Sequence, residues 1–220
     1  MSKISPPSLA RNGDVRAITE RAAARAAVLC EAEALSEWAL EQGSLETTFA
    51  DFERELVDRV AALGRAVVAL FLVASEERIR AALTERVVRD GRVFRRAPAQ
   101  ERNLMTWFGV VRYRRTYLRE VVPSGKPARG YHPLDATLGL LADRVSPNVL
   151  SIAVRLATRV PFSDACEVLR WFLPVAPSTE VVEGALLGYG RHTEAWFEEA
   201  PAPEDDGSVL IIHIDSKGVP

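Results

Sequence analysis

The sequence predicts an α+β protein that is mainly α-helical, and three observations indicate this class. Apolar residues recur at steps of three and four from Leu45 to Ala74 and again after Ser146, as in amphipathic helices. Between these stretches, short alternating runs rich in arginine and tyrosine are typical of antiparallel strands. The composition, 48% apolar and 26% charged, is that of an ordinary globular protein.

Shifts in composition divide the chain into four predicted segments. A long-helix region covers 1–85, and a basic β module covers 86–133. A helical region follows at 134–199. An acidic, proline-containing linker and one terminal strand make up 200–220.

Two long helices are predicted in the region 1–85. The first, over about 15–42, is rich in alanine and contains no proline, which favours a helix on propensity alone. The second, over about 45–83, has an apolar stripe and a charged opposite side. A helix of this length is longer than a small domain requires, and its stripe needs another helix against it. We expect the first helix to be that partner, with a second copy of the chain as the alternative.

The basic β module begins with two short β-prone runs around Asp90 and Gly91, a dipeptide that favours a tight hairpin turn. The stretch TWFGVVRYRRTYLREV, residues 106–121, alternates as a strand does. Alternation places Val111, Tyr113, Arg115 and Tyr117 on one face and Val110, Arg112, Arg114, Thr116 and Leu118 on the other. One face is therefore rich in arginine and the other carries the tyrosines. The stretch 123–133 is predicted as a loop from its proline and glycine content.

Three helices are predicted in the region 134–199. The first begins at Ser146 and Pro147, which supply a capping side chain and a first-turn proline. The second begins near Ser163 and ends before Pro174, and the third begins at 177–179. Two helices joined by a short turn could form a helix-turn-helix that enters the major groove of DNA. The acidic residues of the third helix disfavour that alternative, so a helical bundle is the preferred prediction.

Basic residues are concentrated between Arg86 and Arg129. This segment contains twelve basic and three acidic side chains, a local net charge of +9, whereas the whole chain has a formal net charge of −2. Such an asymmetry is typical of a polyanion-binding surface, because contacts from lysine and arginine to phosphates release condensed counterions. The predicted phosphate contacts are Arg95, Arg96, Arg112, Arg114, Arg115 and Arg119, with Lys126 and Arg129 as supporting contacts in the loop. The alternative for each is a solvated strand face.

Several functional classes find no support in the sequence. The polar start has no apolar core of a signal peptide, and the apolar run 66–74 is far shorter than a membrane span. We therefore expect a cytoplasmic protein without a membrane partner. Cys30 and Cys166 have no metal-ligand spacing and are interpreted as small buried residues. No catalytic constellation can be assembled by spacing, which disfavours a self-sufficient hydrolase.

The stretch VLIIHIDSKGVP, residues 209–220, predicts a strand of the kind that is buried on both faces. No later segment follows to cover it, so we expect a poorly covered strand. On the residues alone, Asp215 at its end is interpreted as a turn residue. His213 and Asp215 together do not make a metal site.

Four motifs occur in order over the second half of the chain. They are TWFGVVRYRRTYL at 106–118, YHPLDATLGLLADRVSPNV at 131–149, VPFSDACEVL at 160–169 and IDSKGVP at 214–220. In this order they resemble the N-terminal half of a DDE transposase of the ISKra type, a bacterial insertion-sequence enzyme. The resemblance implies that the last strand begins an RNase H-like catalytic domain, in which Asp215 is the first of three carboxylates that hold two divalent ions. Mg²⁺ is implied for a full-length relative, but Asp215 alone would bind it weakly, so no cofactor is expected for this chain.

The chain departs from this family in two respects. Many relatives have a zinc ribbon with paired cysteines around the arginine- and tyrosine-rich strand, whereas the corresponding loop here contains no cysteine. Aromatic packing is then expected to hold the β module together. The side chains are Trp107, Phe108, Tyr113 and Tyr117. The second departure is that the second and third catalytic carboxylates are missing.

Two hypotheses of function remain open at this point. The first is a DNA-binding N-terminal fragment of a DDE transposase, catalytically incomplete alone, which would be associated with the nucleoid when bound to double-stranded DNA. The second is a non-enzymatic helical interaction protein, or a transposase remnant that acts as a regulator. In the second case the long helix would form homo-oligomers or mixed assemblies with a full-length transposase.

Overall fold

A computed structural model describes residues 19–42, 47–123, 126–140 and 142–199, and of 191–198 only the helical backbone. Within these residues the fold is α+β and mainly α-helical, as predicted, with six helices and one four-stranded antiparallel sheet. The helices are α1 (Arg21–Glu41), α2 (Phe49–Ala82), α3 (Pro133–Leu138), α4 (Pro147–Ala157), α5 (Phe162–Phe172) and α6 (Thr179–Glu199). The strands are β1 (Arg86–Arg89), β2 (Arg92–Thr106), β3 (Gly109–Glu120) and β4 (Gly130–Tyr131). The predicted terminal strand lies outside the described residues.

The two long helices pack against each other, as predicted. Thr48 caps the start of α2, where its hydroxyl accepts a hydrogen bond from the Asp51 amide at 3.2 Å. The Trp38 ring of α1 stacks on Phe52 of α2 with ring centroids 5.0 Å apart. The Arg59 guanidinium lies 4.5 Å from the centroid of the same indole. One side of α2 is therefore covered by α1.

The sheet has the order β1-β2-β3-β4, and each strand is antiparallel to its neighbour. Asp90 and Gly91 form the predicted turn between β1 and β2, with φ angles of 50° and 71°. The first hairpin is followed by a second and longer one, whose turn contains Trp107 and Phe108. The register of both hairpins fixes which arginines lie opposite each other.

A β-bulge interrupts the pairing of β2 with β3. The register shifts between Ala97 and Gln100, so that two residues of β2 lie opposite the single residue Thr116. One of the two is Pro98, which has no amide hydrogen and cannot donate to a strand ladder. The Thr116 carbonyl lies 3.1 Å from His132 Nδ1, and the Thr116 amide donates to Glu76 Oε1 of α2 at 2.8 Å. The bulge thereby ties the sheet to the long helix.

The buried side chains of β3 switch from odd-numbered to even-numbered positions at the bulge. Before it, Val111 and Tyr113 are buried while Arg112 and Arg114 are exposed, as the predicted alternation requires. After the bulge the next buried aliphatic side chain is Leu118, which occupies an even-numbered position like the exposed Arg112 and Arg114. The predicted division into an arginine face and a tyrosine face therefore holds only up to the bulge, because the bulge bends the strand pair and increases its twist.

The sheet and the long helix share a small core beneath the second hairpin. It contains Leu72 of α2, Leu104 of β2, Val111 and Tyr113 of β3, and Leu134 of α3. Each is at most 3% exposed. α3 contributes because the stretch 123–133, predicted as a loop, contains β4 and leads directly into this helix. Proline and glycine content does not exclude a two-residue edge strand, and this part of the loop prediction is wrong.

The helices α4, α5 and α6 form a separate bundle. Each contacts the other two, which agrees with the predicted helical bundle. Ser146 caps α4 as predicted, and its hydroxyl accepts from the Val149 amide at 3.4 Å. A parallel bridge between Met105 of β2 and Val145 connects the bundle to the sheet. The bundle core contains Val149, Leu150, Ala153, Cys166, Leu169 and Val182. Cys166 is thus buried as predicted, whereas Cys30 of α1 is exposed and its prediction as a buried residue is wrong.

The Phe108 ring lies on the backbone of α2 at Gly64, where a methyl group would be 2.3 Å from Phe108 Cδ1. We therefore expect Gly64→Ala to lower the free energy of unfolding by about 1–3 kcal/mol, as overpacking does. Gly184→Ala in α6 is the matched control, because nothing lies within 4 Å of its methyl position. It should raise stability by up to about 1 kcal/mol, since alanine favours a helix over glycine. Urea denaturation measures both changes.

A second background isolates the steric cause. Once Phe108→Ala removes the ring, Gly64→Ala should become stabilising. An equal loss of stability with and without the ring would show that Phe108 does not lie on Gly64.

Candidate nucleic-acid interface

Three arginines form a row across the sheet. In the strand register, Arg86 of β1 lies opposite Arg95 of β2, and Arg95 lies opposite Arg119 of β3. Residues paired in this way have side chains on the same face of a sheet. All three residues are exposed. We call them the arginine row, which spans roughly 10 Å because neighbouring strands are about 4.8 Å apart.

The arginine row carries charge that the described part of the chain does not neutralise. Like charges directly opposite each other destabilise a sheet. Arg89 and Arg92, in the same hairpin, have ion pairs at 3.6 and 3.8 Å with Asp90 and Glu120. None of the three members of the row has an ion pair with a described carboxylate. A bound polyanion would relieve their mutual repulsion.

Arg112 and Arg114 lie on the opposite face of β3 from Arg119, since residues of different parity in a strand point to opposite faces. Both are exposed. Arg112 forms an ion pair with Glu101 at 2.6 Å, and Glu101 lies opposite Arg114 in the register. Arg114 also lines a groove with Glu20, Glu76 and Glu77, so acidic side chains offset the positive charge on this face.

The other exposed residues predicted to contact phosphate differ in their surroundings. The Arg96 side chain donates to the carbonyls of Arg80 and Leu83 at 2.8 and 2.7 Å, and it thereby satisfies the C-terminal end of α2. Lys126 and Arg129 are exposed in the segment before β4. Arg96 thus has a structural role already, whereas Lys126 and Arg129 remain accessible to a ligand.

Arg115 lies inside the protein and not with the other predicted contacts. Asp135 Oδ2 accepts from Arg102 Nη1 at 2.6 Å and also pairs with Arg115 Nη1. Asp135 Oδ1 accepts from the Tyr113 hydroxyl at 2.8 Å. The side chains of Arg102, Arg115 and Asp135 are 6%, 13% and 11% exposed. We call these four residues the Asp135 network, in which two buried guanidinium groups share one carboxylate.

Burial and charge shift the pKa values in and around the Asp135 network. Desolvation raises the pKa of Tyr113, so its hydroxyl stays protonated and donates. Desolvation lowers the pKa of Arg115, and the charges of Arg102 and Arg144 lower it further. Burial, followed by the charge of Arg115, lowers the pKa of His132, whose Nδ1 lies 3.1 Å from a backbone carbonyl of β3. The arginines around His132 therefore favour its neutral form.

A cavity of about 650 Å³ lies beside the Asp135 network. Its lining includes four arginines and two acidic residues, a net charge of +2 with His132 neutral. They are Arg102, Arg112, Arg115, Arg144, Glu101 and Asp135. Guanidinium groups that converge on a cavity provide donors for an anion.

The four aromatic side chains predicted to hold the β module together all have packing partners. Tyr113 belongs to the Asp135 network and to the core under the sheet. Phe108 lies on α2, and Trp107 packs against the core of the helical bundle. Tyr117 contacts the His132 ring, with centroids 5.0 Å apart. Aromatic packing thus joins the module to each neighbouring part of the fold.

Two features of the candidate interface escaped the sequence prediction. Arg86 was not among the predicted contacts, although a two-residue turn at Asp90 and Gly91 places residue 86 opposite 95 and could have identified it. Asp135 gave no signal in the sequence, because its partners Arg102 and Tyr113 are 33 and 22 positions away. Only the folded chain brings such residues together.

The predicted metal ligand Asp215 lies outside the described residues. Among the residues that the structure describes, no group of three or more His, Cys, Asp and Glu side chains could hold a metal ion. None of the helices within the described residues could span a lipid bilayer.

We expect Asp135→Ala to lower the free energy of unfolding by about 3–5 kcal/mol, because two buried guanidinium groups and a hydroxyl lose their acceptor. Tyr113→Phe is the matched control, which keeps the ring and removes one hydrogen bond at a cost of about 1 kcal/mol. Guanidinium chloride denaturation measures both. If Asp135→Ala costs no more than Tyr113→Phe, the network does not hold α3 to the sheet.

No protein-family model, curated protein or solved structure matches this chain. Its function is therefore inferred from the placement and charge of its own side chains.

Proposed function

We propose that this protein binds double-stranded DNA through the exposed arginines of its sheet. The arginine row carries the proposal, since its three cations are aligned across neighbouring strands without an acidic partner in the described residues. Duplex DNA has one negative charge for about every 1.7 Å of its axis, and so supplies the missing counter-charges. Guanidinium groups suit this role because their forked donors match phosphate oxygens.

The proposed contacts are to the DNA backbone. Contacts to phosphate fix the position of a protein on the duplex but carry no sequence information directly. Lys126 and Arg129 are exposed in the segment before β4, which pairs with β3 at Arg119, and they extend the basic surface beyond the arginine row. Arg112 and Arg114 lie on the opposite face and are not part of this surface. Binding is therefore expected to depend strongly on salt and weakly on sequence.

Within this proposal, the chain is the DNA-binding N-terminal part of a DDE transposase. The ordered motifs support this assignment, and the first of them, 106–118, contains the turn and most of β3. The second motif, 131–149, includes α3 with Asp135, the residue that supports the arginine-rich strands. Strand cleavage would require two further carboxylates besides Asp215, together with Mg²⁺. The activity proposed for this chain is DNA binding alone.

A salt series tests the DNA proposal. Replacing Arg86, Arg95 and Arg119 with alanine should weaken binding to a duplex and flatten the plot of log affinity against log salt. The slope should fall by about 2–3, since each phosphate contact contributes about 0.9. The matched control changes three exposed arginines outside the sheet, Arg155, Arg159 and Arg170, and should leave the slope nearly unchanged. Fluorescence anisotropy with a labelled duplex provides the affinities.

Two results would contradict the DNA proposal. One is salt-insensitive or absent binding by the unchanged protein. The other is an equal loss of slope in the two triple variants, which would mean that net charge, and not the arginine row, governs binding.

A second function, self-association, is favoured by an apolar stripe on α2. The side chains are 43–61% exposed, which is unusual for apolar residues in a line. They are Val57, Val60, Val67 and Phe71, and Gly64 lies between them. These five positions are spaced as a and d positions of a heptad repeat. The Phe108 ring lies where Gly64 lacks a side chain, so the stripe is continuous.

The apolar positions of the α2 stripe lie seven and four residues before Gly64 and three and seven after it, a nearly symmetric arrangement that favours a second copy of the chain in antiparallel orientation. With a two-fold axis near Gly64, Val57 of one copy would lie opposite Phe71 of the other, and Val60 would lie within one residue of Val67. Glu53 and Arg78 lie beyond the two ends of the stripe, and both are exposed. Antiparallel pairing brings these opposite charges towards each other, whereas parallel pairing would align like charges.

We expect the protein to be a dimer, with twice the 24.2 kDa mass of one chain. Val60→Glu with Val67→Glu should make it monomeric, because two charges would be buried at the seam. The control introduces two charges at exposed apolar sites away from the stripe, Leu40→Glu and Leu187→Glu, and should leave the dimer intact. Analytical ultracentrifugation measures the mass.

Disulfide formation tests the orientation. In a Cys30→Ser background, a mixture of the Val60→Cys and Val67→Cys chains should form a mixed disulfide. Cross-linking of Val60→Cys to itself would indicate parallel pairing, and a monomeric unchanged protein would refute self-association.

A further inference from the structure

We infer that the cavity beside the Asp135 network binds a phosphate group that can carry two negative charges, either inorganic phosphate or the terminal phosphate monoester of a larger molecule. The inference goes beyond DNA binding, because none of the three residues of the arginine row lines the cavity. The two sites also differ in the charge of the anion that they suit.

The charge of the lining favours a phosphate monoester. The six charged lining residues sum to +2. A phosphate monoester carries about −1.5 to −2 at pH 7, because its second pKa is about 6. A carboxylate or a phosphodiester within DNA carries only one negative charge. It would leave part of the positive charge of the lining without a counter-charge. A monoester dianion therefore matches the cavity more closely.

The two carboxylates of the lining do not oppose such a ligand strongly, because both are already engaged. Asp135 accepts from Tyr113 and Arg102 and also pairs with Arg115. Glu101 pairs with Arg112 at 2.6 Å. Their negative charges are thus neutralised locally, and further guanidinium donors remain to meet an anion.

Arg115 supplies an unused donor next to this cavity. Its Nε is buried and has no hydrogen-bond partner. A buried donor without an acceptor costs roughly 1–3 kcal/mol. An anion in the cavity would provide that acceptor and would also offset the repulsion that Arg102 and Arg144 exert on Arg115.

Arg144 occupies a strained backbone position at the rim. Its φ of 59° lies in the left-handed region, which residues other than glycine rarely adopt. The Met105 amide holds it there by donating to the Arg144 carbonyl at 2.8 Å. Backbone strain of this kind often accompanies a functional side chain. Here the side chain of Arg144 lines the cavity and is exposed to solvent.

The volume leaves room for more than phosphate. Pockets for small ligands measure about 300–1,000 Å³, and this cavity of about 650 Å³ falls within that range. Asn103 in the lining adds an amide that can both donate and accept. A phosphorylated sugar or nucleotide end therefore fits the space and the chemistry.

Arg144→Gly separates phosphate binding from folding. Glycine suits the positive φ, so this variant should be at least as stable as the unchanged protein in thermal unfolding without phosphate. Its dissociation constant for inorganic phosphate should rise at least about tenfold, since a charge-assisted contact is lost. Isothermal titration calorimetry at constant ionic strength measures the constant. Arg159→Ala is the control, because Arg159 is exposed and does not line the cavity.

Competition experiments identify the source of the phosphate. Displacement of inorganic phosphate by a 5′-phosphorylated oligonucleotide, but not by its 5′-hydroxyl form, would support a nucleic-acid end. Displacement by adenosine 5′-monophosphate at similar concentration would support a small phosphorylated molecule. The variant lacking Arg86, Arg95 and Arg119 should keep its phosphate affinity, so failure of the DNA proposal would leave this result intact.

Two outcomes would overturn the inference. The first is absence of measurable phosphate binding at 10 mM, about the weakest affinity that a built site should show. The second is an unchanged dissociation constant in a folded Arg144→Gly variant, which would assign the binding to another surface.

Discussion

The buried carboxylate of Asp135 is the interaction on which the basic sheet depends. It lies on the short helix α3 and accepts from side chains of two neighbouring strands, through Arg102 of β2 and Tyr113 of β3. Repulsion between Arg102 and Arg115 would be far larger in the interior than in water, because the local dielectric is low. One carboxylate between them makes their burial possible, and it holds α3 against the sheet at the same time.

A second constraint comes from the bulge in β2. Pro98 cannot donate to the ladder, and the backbone of Thr116 opposite it bonds outside the sheet, with its amide donating to Glu76 on α2 and its carbonyl 3.1 Å from His132 Nδ1. Beyond the bulge the buried side chains of β3 change parity, so exposed arginines occur on both faces of one strand. Arg119 consequently belongs to the arginine row, whereas Arg112 and Arg114 belong to the opposite face. Local backbone chemistry at one proline thus determines how positive charge is distributed over the sheet.

Features set by local chemistry could be predicted from the sequence, and features set by long-range contacts could not. Asp90 and Gly91 fix the first hairpin through their own φ preferences, and Ser146 identifies the start of α4 through its hydroxyl. The predicted alternation of β3 is correct for the residues before the bulge and wrong for those after it. Arg115 looked like its neighbours in the sequence, but its environment depends on Asp135, twenty positions later in the chain. The clustering of arginines is a property of the sequence itself and could be predicted. The cavity is formed by residues far apart in the chain and could not.

The exposed and buried arginines represent two different electrostatic regimes within one sheet. The arginine row acts through solvent, where charges separated by more than about 10 Å are largely screened at 0.1 M salt. Under the DNA proposal it would hold the duplex through many weak contacts, and salt would compete with each of them. Two of the four cavity arginines, Arg102 and Arg115, are only 6% and 13% exposed, and screening is much weaker in such a partly desolvated environment, so a single dianion would interact strongly with them. Increasing ionic strength should consequently remove DNA from the arginine row well before it removes phosphate from the cavity. The affinities of the two sites differ in salt dependence because their arginines differ in exposure to solvent.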